Sequence, residues 1–189
     1  MKITSVKFVK GVVREDAIFS DRIPQIAFIG RSNVGKSSLI NALTNSSISK
    51  TSSFPGRTQE INVFLINESV YFIDLPGYGF TRVAGAGKQK IATLIDTYLF
   101  HPDTNQRKIV LIIDANTGMT DQDKSMFDEL ENHGKDFIIA LSKIDRMNQS
   151  DFHHRLIEVQ QFAGDHSVFP CSSKSKRGID AIIDCILSD

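Results

Sequence analysis

The sequence predicts an α/β fold: a mostly parallel, doubly wound sheet with one antiparallel edge strand and helices on both faces. Two observations carry this. Six apolar runs of strand length, "QIAFIG", "INVFLIN", "VYFIDL", "KIVLIID", "DFIIALS" and "HSVFPCS", recur along the 189 residues, and helix-length segments separate most of them. The exception is "INESV", a turn too short for a crossover, so the two strands it joins run antiparallel at a sheet edge.

In chain order, the N-terminal "MKITSVKFVKGVV" alternates lysines with β-branched residues and reads as a short strand extension within residues 1–22. "QIAFIG" leads into a helix at 36–45, and residues 46–60, "SSISKTSSFPGRTQE", form a Ser/Thr-rich loop carrying Pro-Gly. The strands "INVFLIN" and "VYFIDL" are joined directly by the short turn "INESV", and a loop at 75–87 with four glycines follows. Helices are expected at 88–100, 120–132, 149–163 and 178–187, after which the chain ends. With no linker, repeat or low-complexity tract, residues 1–189 are expected to form a single domain.

Composition narrows the setting. The formal net charge is zero, which argues against a generic polyanion binder. The charge is uneven, however: residues 1–60 hold nine Lys/Arg against four Asp/Glu, and residues 96–136 hold four against nine. Lys2, Lys7, Lys10 and Arg14, and separately "KSKR" at 174–177, leave room for a locally basic face. No apolar run approaches the roughly 20 residues that cross a bilayer, and no signal-peptide pattern is present, so a cytoplasmic protein without membrane attachment is expected. Cys171 and Cys185 have no metal-ligand spacing and are expected as buried or partly buried thiols.

The chemistry begins after "QIAFIG". Gly30-Arg31-Ser32-Asn33-Val34-Gly35-Lys36-Ser37 fits G-x-x-x-x-G-K-[ST] between a strand and a helix. In such a loop the glycines let successive N–H groups point at one centre. The following helix, with Ser38 in its first turn, adds its positive end, and Lys36 adds a mobile charge, so the loop suits a polyphosphate. The Ser37 hydroxyl is placed to ligate Mg²⁺ bridging the β- and γ-phosphates. Asp74 ends the strand in "YFIDLPG", where its carboxylate can hold that Mg²⁺ through water; Leu75 and Pro76 follow, and the Gly77 N–H can meet the γ-phosphate. Thr58, within Gly56-Arg57-Thr58-Gln59-Glu60 of the loop before, can complete the metal's coordination when the γ-phosphate is present. Lys36, Thr58 and Gly77 are therefore the expected catalytic set.

Base choice comes from later segments. Ser142-Lys143-Ile144-Asp145 is similar to the N/T-K-x-D signature, in which the Asp145 carboxylate accepts from guanine N1–H and the exocyclic amino group while Lys143 lies along the base. Ser172-Ser173-Lys174 resembles the loop whose backbone N–H meets guanine O6. Five elements in this order favour guanine over adenine and so GTP and GDP as ligands.

On "GRSNVGKSSLINAL", "PGRTQEINVF", "YFIDLPGYGF", "IIDANTGMTDQD", "LSKID" and "CSSKSKRG", the chain resembles the translation-factor-related P-loop GTPases, in particular the EngB/YsxC (YihA) family of ribosome-biogenesis GTP-binding proteins. The resemblance implies the P-loop GTPase fold, transient binding to the large ribosomal subunit late in its assembly, and a requirement for normal cell division and septation. It also makes K⁺ a candidate activator through Asn33, which resembles the phosphate-loop asparagine that binds potassium in related GTPases. Two positions depart from the family pattern: Ser142 replaces Thr, or the Asn of other GTPases, so a weaker hydrogen bond fixing the base loop is expected, and Asn116 stands where Arg is frequent, so no role is carried over to it. After Gly77 comes Tyr78 and not the glutamine that orients water in Ras-like enzymes, so slow intrinsic hydrolysis is expected. A nucleotide switch, a constitutive RNA-docking module with nucleotide as a fixed ligand, and an ATP-using phosphotransferase are the readings to separate. A monomer is the default.

Overall fold

The computed structural model describes residues 2–49, 60–79 and 86–187. Seven strands form one sheet: β1 (Val6–Val12), β2 (Gln25–Gly30), β3 (Ile61–Ile66), β4 (Val70–Asp74), β5 (Gln106–Asp114), β6 (Phe137–Ser142) and β7 (Val168–Pro170), in the order β1-β3-β4-β2-β5-β6-β7. The strands from β4 to β7 pair in parallel, and β3 is antiparallel to β4 on one side and to β1 on the other. The reversed strand is thus the hairpin partner expected from "INESV", and the N-terminal strand caps it as the edge. Both central residues of that turn, Asn67 and Glu68, have positive φ (48° and 53°), the primed geometry that matches strand twist. Asn67 also anchors the N-terminal segment, its side-chain oxygen accepting from Thr4 N at 2.8 Å and Ser5 N at 3.1 Å.

The helices are α1 (Lys36–Thr44), α2 (Ala86–Phe100), α3 (Asp121–Asn132), α4 (Gln149–Ala163) and α5 (Ile179–Leu187). Because side chains alternate across a strand, each central strand feeds two cores. Ile26, Phe28, Val110 and Ile112 point to the face covered by Leu39 and Ile40 of α1 and Ile182 and Ile186 of α5. Ala27, Ile29, Ile109 and Leu111 point to the face covered by Leu94 and Tyr98 of α2, Phe127 and Leu130 of α3, and Val159 of α4. The buried Gln25 is satisfied inside this second core, donating to Ile18 O at 2.8 Å and Phe19 O at 3.0 Å and accepting from Tyr98 Oη at 3.1 Å. Cys171 is buried and Cys185 partly so, both free, and burial pushes the Cys171 thiol up to about 12.

The chain runs from β2 outward through β3 and β4 on one side and returns past it to β5 on the other. That reversal opens a crevice at the carboxyl ends of the parallel strands, the place where α/β sheets bind ligands.

Candidate functional site

Every described residue of the expected site lies at that carboxyl edge. Residues 30–38 form the loop from β2 into α1; Asp74 to Gly77 leave β4; Ser142 to Asp145 leave β6; Ser172 to Lys174 follow β7. Glu60 is exposed just before β3, whereas Gly56, Arg57, Thr58 and Gln59 lie outside the described residues.

The phosphate loop is shaped by its backbone. Gly35 has φ +105°, a conformation that a side chain would strain, and no side chain caps α1 behind it. A helix start left uncapped presents its first N–H groups to an anion. Lys36 and Asp74 are 8% and 2% exposed and form an ion pair, and Ser49 donates to the other Asp74 oxygen at 3.0 Å. Asn41 of α1 fixes Ser49 by gripping its backbone on both sides, each bond 2.8 Å.

Ser142 is more than a weakened family position. Its hydroxyl lies 2.8 Å from Val34 O and 3.0 Å from Ile113 O, joining the base loop to the phosphate loop and to β5. Lys143, with φ +61°, donates to Asn33 O and to Asp114 Oδ2, both at 2.6 Å. Asn116 supports the same carboxylate, its N–H and side-chain amide donating to Asp114 Oδ1 at 3.0 and 3.1 Å. Burial works against the Asp114 charge, but the Lys143 and Asn116 hydrogen bonds and the Lys143 cation outweigh it and hold the carboxyl below its ordinary range. Asp145 accepts from the Ser172 hydroxyl at 2.6 Å, and Ile144 N donates to Cys171 O, so the two base loops form one wall. A cavity of about 550 Å³ lies between them and α1, lined by Gly35, Ser38, Lys143, Asp145, Ser173 and Lys174 among others.

Tyr78 is turned away from this cavity. Its hydroxyl donates to Asp123 Oδ1 of α3 at 2.7 Å; burial, and then the Asp123 charge and hydrogen bond, push the phenol well above its ordinary range. Arg31 Nε donates to Asp123 Oδ2 at 3.1 Å.

Comparison with known proteins fits this geometry. The family model described as "50S ribosome-binding GTPase" matches residues 25–143, and that of the "Elongation factor Tu GTP binding domain" matches 106–189. The probable GTP-binding protein EngB of Metamycoplasma arthritidis is 40% identical over 178 residues, spanning 94% of this chain and 97% of that one. The chain belongs to the EngB family of GTP-binding proteins. It is a P-loop GTPase. Among solved structures, a probable GTP-binding protein engB superposes with a TM-score of 0.70 at 24% identity, covering 86% of this chain and 96% of that one. Era, solved with MgGDPNP and nucleotides 1506–1542 of 16S ribosomal RNA, gives a TM-score of 0.73 at 22% identity, covering 88% and 57%. These last two bear on the fold.

For this EngB-family chain, sequence reasoning assigned no role to Asp114 or Asp123. Asp114 carried a usable signal, because it ends an apolar strand just as Asp74 does. Asp123 carried half of one: "TDQD" spells a capping box, and Thr120 and Asp123 form it, but nothing local announces its distant partners.

Proposed function

We propose that this GTPase is a slow molecular switch of the cytoplasm, acting in late assembly of the large ribosomal subunit and needed for normal cell division. The observation that carries the nucleotide part is the joint between phosphate loop and base loops: Ser142 and Lys143 reach Val34 O and Asn33 O, so one cavity presents phosphate donors and the Asp145 carboxylate in a fixed relation. The ribosomal part is supported by the family description.

In this reading the N–H groups of residues 31–38 and the Lys36 ammonium hold the phosphates, exchanging the Asp74 ion pair for a phosphate contact. Asp145, oriented by Ser172, takes the two guanine donors, and the 172–174 backbone meets O6. The Ser37 hydroxyl and the Asp74 carboxylate are hard oxygen donors that suit Mg²⁺, with Thr58 as a third. Held by Ser37, Asp74 and Thr58, Mg²⁺ would supply positive charge against the phosphates. Gly77 N–H meets the γ-phosphate. With the Tyr78 hydroxyl held by Asp123, that side chain is engaged away from any attacking water, which supports the reading of slow turnover. K⁺ at Asn33 is a further part of the reading, and turnover unchanged on replacing K⁺ by Na⁺ removes it.

The test is co-sedimentation of the chain with separated ribosomal subunits, with Mg²⁺ and either GDP or a non-hydrolysable GTP analogue. Binding to the large subunit only with the analogue is expected. Equal binding in both states supports the constitutive docking module instead, and no binding in either refutes the ribosomal assignment.

A further inference from the structure

The Asp123 carboxylate does more than its helix requires. In a capping box the acid at the third helical position accepts from the N-cap backbone, and Asp123 Oδ2 accepts from Thr120 N at 3.0 Å and Thr120 Oγ1 at 2.7 Å. That alone completes the cap. Yet Asp123 is fully buried and also takes Tyr78 Oη at 2.7 Å and Arg31 Nε at 3.1 Å, residues 45 and 92 positions away. These two are neighbours in space through their backbones. Tyr78 N donates to Gly30 O at 3.2 Å, and Ser32 N donates to Tyr78 O at 3.1 Å. Gly77 is wedged into the same joint, since a Cβ there would stand 3.0 Å from Ser32 N and 3.2 Å from Gly30 O. Beyond it, Gly79 packs against the side chain of Gln122, so the first turn of α3 backs Tyr78 and Gly79.

We propose that Asp123 is a positioning residue of the GTPase cycle: its carboxylate clamps Tyr78 and Arg31 together and so holds the Gly77 amide against the phosphate loop, where a terminal phosphate arrives. This rests on the reading that Gly77 meets the γ-phosphate. The clamp therefore favours triphosphate selectively. A diphosphate has no group at that point and is indifferent to it.

The experiment measures affinities of the full chain for GDP and for a non-hydrolysable GTP analogue by fluorescence. Asp123→Asn is expected to weaken the analogue about tenfold and Tyr78→Phe about threefold, with GDP moved less than about twofold by either. The double variant is expected to lose less than the product of the two single effects, because both changes act on one hydrogen-bonded cluster. Thr120→Ala, which weakens the cap and keeps Arg31 and Tyr78 on the carboxylate, is expected to lower the melting temperature without moving the affinity ratio. Equal weakening of both nucleotides, or a ratio that Thr120→Ala moves as much as Asp123→Asn, overturns the clamp. Tyr78→Phe keeps the ring and the cap, so it decides the matter even if Asp123→Asn does not fold. Gly77→Ala separates the two layers. If it leaves analogue binding intact, the phosphate reading fails and the clamp with it; if it abolishes that binding while Tyr78→Phe and Asp123→Asn change nothing, the clamp alone is refuted.

Discussion

Ser142→Ala tests whether the joint between phosphate loop and base loop has energetic weight. Ser142 is 4% exposed, and its hydroxyl is within 2.8 Å of Val34 O and 3.0 Å of Ile113 O. A hydroxyl has one hydrogen to share between these acceptors, so alanine removes about one net hydrogen bond and leaves a buried carbonyl short of a donor, together about 1–2 kcal/mol. For a chain of this size each kcal/mol moves the midpoint about 2–4 °C, so the variant is expected to melt about 2–8 °C lower. The same bond spans two parts of the nucleotide cavity, and its loss is expected to weaken GDP about threefold to tenfold. Ser142→Thr restores the hydroxyl and should recover both. Thermal unfolding by circular dichroism and GDP titration by fluorescence give the two readings. An alanine variant that melts within about 1 °C of the parent and binds GDP equally well refutes the reasoning.

Three further outcomes follow from the same site. Asp145→Asn is expected to move nucleotide preference from guanine toward xanthine, read by competition; retained GTP preference contradicts the role given to Asp145. Lys36→Ala is expected to abolish nucleotide binding and, by leaving the Asp74 carboxylate buried without its cation, to cost about 3–5 kcal/mol in urea unfolding of the free chain; unchanged stability argues against the pair. Asp114 is depressed in the folded chain, so its stabilisation is complete above the unfolded value of about 3.9 and is lost as pH falls through that value toward the folded one. The stability gap between the parent and Asp114→Asn should therefore narrow between pH 6 and pH 3, and a constant gap rules this out.

The fold was legible because periodicity reports burial directly. Fully apolar runs such as "AFIG" and "VLII" mark strands covered on both faces, and the Asn67-Glu68 turn marks the one reversal. The phosphate and base loops were legible because each is a local word at the end of a strand. What escaped notice is what joins those words. The Ser142 bond to Val34 spans 108 residues and the Arg31 bond to Asp123 spans 92, and neither residue type at its own position announces a partner so far away. Ser142 looked like a lesser substitute for threonine because only its local role was visible, and Asn116 like a lost arginine, although its amide steadies Asp114. Asn41 and Ser49 fall in the same class, a helix side chain gripping a loop backbone.

The two margins of the sheet are built differently, and this bears on how readily a foreign strand could add to either. β7 offers only three residues to a would-be neighbour and ends in Pro170, which has no N–H to give. β1 is longer, but Lys7 and Lys10 stand along it and its pairing slips between Phe8 and Lys10, which breaks the flat, regular template that intermolecular strand stacking needs. Neither flank of the seven-stranded sheet therefore offers a long, regular template for strand addition. Replacing those lysines by valine would trade that protection for precipitation.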